Sequence, residues 1–404
     1  MRYPILFLLI ALTVQALPAQ RIQMYDLKFS DQILEELKAG KLHEASAAYL
    51  FTYIGKYREA LDQYEVPLAW GLDAMSAAEK ADFQQYRPVN AYRYLEQRTK
   101  DEELVIISEA HHKIQHRVFT RNMLATLYGN GFRYLGIEAL NTSIEDPENL
   151  LLDTELQQRG YPLNGPVSGT YTREPQMSNM IREAIAMGFE VFGYERATSG
   201  EERDVQQAKN ILQFMEDHPD GKVVIHCGWY HAIESNYPKR EDTYYMAHLI
   251  KQLSDIDPLT IYQDALSERF LDAESPYYKM VKAEDVSVLI NGSGEVFNGK
   301  PGEDHFDIMV YHPRTKYRKN RPDWLYHLPD HTFVKVKSEL LEKDQFPVLV
   351  KAYPVGEVPE AMPMDIIELS TPNDNTYLVL KKGKYRVEMV DRAGEVVEYD
   401  LEFN

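Results

Sequence analysis

The chain has 404 residues, with 44 lysines and arginines against 63 aspartates and glutamates, a formal charge of −19. Such a surface repels nucleic acid and anionic lipid, so neither is an expected partner; the charges are spread over amphipathic segments and point to no substrate. The only cysteine, Cys227, excludes an intramolecular disulfide, and the fold has to stand on its apolar core.

Residues 1 to 19 carry Arg2, an apolar run from Ile5 to Leu12 and the small residue Ala19, the pattern of a cleaved export signal. That run is too short to span a bilayer, and no later stretch reads as a membrane helix. The expectation is a secreted or periplasmic protein. Residues 20 to 100 read as a helical N-terminal region, clearest over 44–64 and 76–97. Its tyrosines, among them Tyr49, Tyr53, Tyr57 and Tyr64, read as the packing face of a helical cap and not as a binding surface.

The pattern changes to alternating strands and helices over residues 101 to 330. Val105 to Ile107 reads as a buried strand that stops at Ser108, Glu109, His111 and His112. Apolar residues then recur as Ile114, Val118, Met123, Leu124 and Leu127, a helical spacing ended by Gly129 and Gly131. A second strand, Tyr134 to Ile137, runs into Glu138. A strand–helix–strand unit is a right-handed crossover, so its parallel strands share one carboxyl edge and Glu109, His112 and Glu138 converge there.

The alternation continues with helix 144–159, a Gly- and Pro-rich loop over 160–175 that reads as a lid, and helix 176–187. Strand 190–193 runs into Tyr194 and Glu195, followed by helix 201–217. Strand 222–225 runs into His226 to His231, followed by helix 242–254 and strands 259–262 and 306–311. The fold class is α/β, a parallel or mixed sheet with helices on both faces. From 331 to 404 the chain reads as a small antiparallel β module, with hairpin signals at 381–384 and 392–395 and no sign of chemistry.

Ligands of open α/β sheets bind at the carboxyl ends of the strands, where this chain repeatedly places ionisable groups. His112, oriented by Glu109 or Glu138, reads as a general base for water near neutral pH. Arg121 would hold a carboxylate or developing oxyanion, or pair with Glu109 or Glu138. His231 arrives late, and His111, Tyr171, Arg173, Tyr194 and Glu195 are candidate substrate contacts. His112 and His116 are one helical turn apart, and with Glu138 and His231 they compose a possible shell for a divalent metal. The other reading needs no cofactor, and His116 then faces solvent or an acidic neighbour. Ser108 and Ser267 lie outside any GxSxG turn, and Cys227 reads as a small packed residue.

Glu109 and His112 after a strand, Arg121 on the next helix, the GlyPheArgTyrLeu run into Glu138 and a late GlyTrpTyrHis ending at His231 resemble the erythromycin esterase-like proteins. More distantly they resemble the haem-binding uptake and Tiki superfamily. The resemblance covers about 100 to 325; Ser108 and Lys113 stand where the esterase-like family usually has glycine. It implies that His112 is the base, supported by Glu109, Arg121, Glu138 and His231, in an exported hydrolase that directs water at an ester or amide of a small molecule. The alternatives it implies are a haem or small-ligand binding protein of the uptake branch and a Tiki-like metalloprotease. Nothing in the sequence sets the oligomeric state.

Overall fold

A computed structural model describes residues 27–403 apart from 66–71, 73, 141–151, 165–167, 196–200, 240–242, 271–272, 301 and 303. The leader-like residues 1–19 and most of the expected helix 144–159 lie outside the described residues; Thr154–Arg159 of that helix is present. Eight strands form the main sheet: β1 (Arg87–Asn90), β2 (Leu104–Glu109), β3 (Phe132–Ile137), β4 (Glu190–Gly193), β5 (Lys222–Gly228), β6 (Leu259–Tyr262), β7 (Ser287–Ile290) and β8 (Ile308–Tyr311). Their order is β1-β7-β8-β6-β2-β5-β3-β4. Six run parallel, from β8 across to β4, while β7 is antiparallel to β8 and β1 to β7.

The central strands are buried on both faces, which is why β2 reads Leu-Val-Ile-Ile and β5 Val-Val-Ile without polar alternation. Successive side chains still point to opposite faces. Leu104 and Ile106 join a core with Ile225, Phe192 and Phe214, whereas Val105 and Ile107 join one with Phe119, Leu124 and Met180 on the other side. The crossover helix, Gln115–Gly129, carries Phe119, Met123, Leu124 and Leu127 onto that second face.

The strands that carry Ser108, Glu138, Glu195 and His226 at their ends are therefore parallel neighbours, β2-β5-β3-β4. Two strands were not read from the sequence. β1 lies inside the segment expected to be one helix over 76–97, which splits into Ala77–Phe83, β1 and Ala91–Arg98. Pro88 is tolerated there because β1 is an edge strand. β7 is four residues long and pairs with β1 across almost 200 residues of chain. The expected helix 44–64 breaks into Glu44–Tyr53 and Tyr57–Gln63 at Gly55, which has φ +71. A Cβ at Gly55 would lie 2.8 Å from Arg321 Nη1 and closer still to the carbonyl oxygen of Ile366.

The C-terminal residues form a four-stranded antiparallel sheet, ordered 365–369, 348–354, 383–390, 396–403, and a two-stranded pair of 331–334 with 378–381. Residues 392–395 turn a hairpin as expected. Residues 381–384 do not, because 378–381 pairs with 331–334 while 383–390 crosses to the other sheet. The N-terminal helices meet the C-terminal module: Phe29, Ile33 and Phe51 pack with Leu349, and Ser30 donates from N and Oγ to Glu368 at 2.6 Å each. Among the described residues no helix is long and apolar enough to cross a membrane.

Candidate active site

β2 delivers Glu109 to the carboxyl edge of the sheet, fully buried, where four bonds from three side chains hold its carboxylate. Arg117, in the first turn of the crossover helix, donates from Nε to Oε2 and from Nη2 to Oε1, both at 2.8 Å. His226 Nε2 lies 2.9 Å from Oε2 and His111 Nδ1 2.7 Å from Oε1. Burial opposes the charge, but Arg117 and His226 outweigh it and hold the Glu109 carboxyl well below the usual carboxylate range.

His111 is thus oriented through Nδ1, with the other nitrogen turned toward Glu138: Nε2 lies 3.7 Å from Glu138 Oε1. A second histidine approaches the same oxygen. His231 Nε2 lies 3.8 Å from Glu138 Oε1, and its Nδ1 lies 2.6 Å from Asp204 Oδ1. Two imidazoles, each tied at Nδ1 to its own carboxylate, flank one shared carboxylate. Glu138 also accepts from Arg203 Nη2 at 2.8 Å and from the backbone N–H of Gly228.

The electrostatics keep Glu138 charged and favour a proton on His231. Burial raises the Glu138 pKa, but His111, His231 and Arg203 together bring it below the ordinary value, so the carboxylate stays charged. Burial also works against protonated His231. The hydrogen bond to Asp204 and the Glu138 charge outweigh both that and nearby Arg203, whose Nη1 lies 3.1 Å from Nε2, and its pKa is raised. Asp204 in turn is held down to about 2, burial being overcome by His231 and Lys239.

Close approach at this centre depends on Gly228, the last residue of β5. Its φ of −82 and ψ of 142 are ordinary, yet a Cβ there would lie 2.6 Å from His111 Cε1 and 3.0 Å from Glu138 Oε2. The chain then turns sharply, with Trp229 at φ +26, in the left-handed region. The Trp229 ring meets His111 edge-on with centroids 4.7 Å apart. Tyr171 stacks on the other side of the imidazole at 4.0 Å, and Tyr49 touches both His111 and Tyr171 at 6.3 Å.

Several assignments made from sequence have to be corrected. The partner of Glu109 is His111, not His112: both His112 ring nitrogens are buried without a hydrogen-bond partner among the described residues, and the ring lies against Tyr64 and Trp229. Burial, reinforced by Lys113, pushes its pKa down to about 3. The arginine on Glu109 is Arg117, whereas Arg121, one turn further on, points away to Gln176 and Glu183. His116 is buried and neither faces solvent nor pairs with an acid; its Nδ1 accepts from the Ala110 N–H at 3.0 Å and its ring lies 5.0 Å from that of His312. His112 and His116 consequently do not gather with Glu138 and His231, and the described residues contain no group of three His, Cys, Asp or Glu side chains arranged to hold a metal ion.

The expected substrate contacts divide. His111 and Tyr171 stand at the centre. Arg173 lies over the Tyr53 ring at 5.0 Å, Tyr194 is buried with its hydroxyl donating to His226 O at 3.2 Å, and Glu195 accepts from the Ala139 N–H at 2.7 Å and from Arg203. The tyrosines of the N-terminal region are more than cap packing, since Tyr49 and Tyr64 bring rings to His111 and His112. Sequence reading missed Arg117, Arg203 and Asp204, and it placed His226 and Trp229 at the strand end without giving either a partner. One signal was present: Glu109 and His111 are two apart at a strand end, where side chains two apart share a side. Asp204 carried none, because it acts as partner only after a helix folds back over β5.

No family model matches the chain, and no curated protein is similar to it. Among solved structures, the type III effector HopBA1 is similar at 14% identity and a TM-score of 0.35, covering 56% of this chain and 95% of its own. RRSP, a MARTX toxin effector domain from Vibrio vulnificus, is similar at 17% identity and a TM-score of 0.30, covering 43% of this chain and 36% of its own.

Proposed function

We propose that the chain is a hydrolase that directs water at an ester or amide of a small molecule, with His111 as general base and His231 as general acid. The observation that carries the proposal is the shared carboxylate: Glu138 Oε1 lies 3.7 Å from His111 Nε2 and 3.8 Å from His231 Nε2, each imidazole being oriented at Nδ1 by its own carboxylate. With Nδ1–H donating to Glu109, the Nε2 lone pair of His111 is free to take a proton from water as that water attacks the carbonyl carbon. Glu138, charged, stabilises the imidazolium that results. Asp204 and Glu138 favour protonated His231; Arg203, which donates to its Nε2 at 3.1 Å, turns away when that nitrogen takes a proton, and the Nε2–H then protonates the departing alcohol or amine. Arg203, half-exposed and bonded to Glu138, is a cation beside this pair that could stabilise a developing oxyanion.

The resemblance to the erythromycin esterase-like proteins points the same way, with the base moved from His112 to His111. The leader-like first 19 residues support an exported enzyme. A panel of chromogenic acetyl and N-acylaminoacyl esters tests the proposal. Wild type should hydrolyse at least one, and His111→Gln should lower kcat/KM on it about 10²- to 10⁴-fold, the usual worth of a general base. A fully active His111→Gln protein would sink it.

A further inference from the structure

His112 is left out of the centre just described, and its surroundings are unusual for a structural histidine. Buried polar atoms in folded proteins are nearly always hydrogen-bonded, yet neither ring nitrogen of His112 has a partner among the described residues. The same is true of the Trp229 indole N–H. Trp229 touches both imidazoles, with centroids 4.7 Å from His111 and 6.2 Å from His112, so His112 is one ring away from the proposed base. Its other ring contact, Tyr64 at 5.4 Å, is only part-buried, as is Trp229, so both rings packed on His112 are themselves partly exposed.

The charges around His112 are already matched. Lys113 Nζ lies 2.7 Å from Asp264 Oδ1 and 3.2 Å from Glu65 Oε1, and Arg269 lies 2.6 Å from Asp264 and 3.0 Å from Glu65. Two cations face two carboxylates. A charged ligand group entering here would lose its hydration and find these four charges already paired with one another among the described residues. A group that both donates and accepts, without charge, meets an imidazole that offers one donor and one acceptor, an indole donor, and flanking aromatic faces.

We propose that His112, with Trp229, forms a subsite beside the His111–Glu138 centre that binds an uncharged polar group of the substrate, an amide or a hydroxyl. The assignment deepens the hydrolase reading and rests on it for the word substrate; binding at the subsite needs no turnover. It makes the preferred ester or amide one whose acyl or leaving part carries a second, neutral hydrogen-bonding group.

The test is a titration of full-length protein, with ¹⁵N-labelled histidines, using three probes: N-acetylglycinamide, acetate and methylammonium. The amide should shift the His112 ring nitrogens saturably, and the two ions should not. His112→Phe keeps the ring's shape without its nitrogens and should weaken amide binding about three- to tenfold, while His112→Gln, with one donor and one acceptor, should restore most of it. No saturable shift with the amide, acetate binding as tightly as the amide, or unaltered amide binding by His112→Phe would each overturn the proposal. The wild-type titration stands even where a variant fails to fold. The same titration on His111→Gln separates the two readings: amide binding there, alongside wild-type activity that does not depend on His111, overturns the hydrolase mechanism and leaves the subsite.

Discussion

Glu109 and Arg117 form a two-point ion pair in the interior, Nε to Oε2 and Nη2 to Oε1 at 2.8 Å each, with both side chains about 1% exposed. The planar guanidinium matches the carboxylate and has donors to spare. Arg117 Nη1 reaches Glu174 at 3.1 Å, and Glu174 caps helix Pro175–Met187 and accepts from the Tyr57 hydroxyl at 3.1 Å. One arginine therefore ties the sheet edge, helix Pro175–Met187 and the N-terminal helices together.

Removing Arg117 takes the arginine from two buried carboxylates, Glu109 and Glu174, and leaves Glu109 only His111 and His226 against its charge. Arg117→Leu is expected to lower the unfolding free energy by about 3 to 5 kcal/mol, measured by denaturant titration. Arg117→Lys should recover only part of the loss, because an ammonium cannot reproduce the two-point contact. A stability change below about 1 kcal/mol for Arg117→Leu would contradict the arrangement.

Gly228→Ala isolates sterics from backbone strain. The φ of −82 suits alanine, but the added Cβ would sit 2.6 Å from His111 Cε1 and displace the ring from Glu138. Turnover of the ester found in the panel should fall at least about tenfold, since small displacements of a reacting group are expensive, while far-ultraviolet circular dichroism stays that of wild type. Wild-type turnover by Gly228→Ala would show that the His111–Glu138 geometry is not needed.

The pH dependence of stability follows from His112. Its folded pKa, about 3, lies below the ordinary imidazole value of 6.5, so between those limits the unfolded chain binds the extra proton. The stability it contributes is full above about pH 6.5 and is lost as pH falls toward 3. Buried His312, also brought down to about 3 by burial and Lys113, acts with the same sign, whereas the raised pKa of His231 acts with the opposite sign, its contribution being lost as pH rises. Denaturant titrations at pH 6.0 and 4.5 should show wild type losing stability on the acid side more steeply than His112→Phe, by up to about 1.4 kcal/mol per pH unit. Equal slopes would mean that His112 is protonated in the folded protein.

The C-terminal module shows no sign of chemistry in the sequence, yet its contacts predict that it serves turnover as well as stability. Leu163 bridges to Ala361, Met362 N donates to Pro162 O at 3.0 Å, and Arg182 pairs with Glu357 at 2.6 Å, so the module holds the segment that carries Tyr171 against His111. Glu357→Ala should leave the fold intact, within about 1 kcal/mol, and raise KM for the ester substrate. A KM and kcat both unchanged would separate the module from the site.

The sequence by itself determined the α/β domain and the edge at which Glu109, Glu138, Glu195 and His226 gather. Both follow from local information: apolar runs of strand length, a helical period between them, and the fixed hand of a parallel crossover. It could not choose between neighbours. His111 and His112 follow one strand end, and Arg117 and Arg121 lie on one helix a turn apart; which of each pair faces Glu109 depends on how the short turn 110–114 swings the helix over the sheet. Nor could it place β1 against β7, or Asp204 against His231, because those partners are distant in sequence and meet only when the chain closes. Tertiary structure decided these, by burying Glu109 where a carboxylate persists only if arginine and histidines reach it.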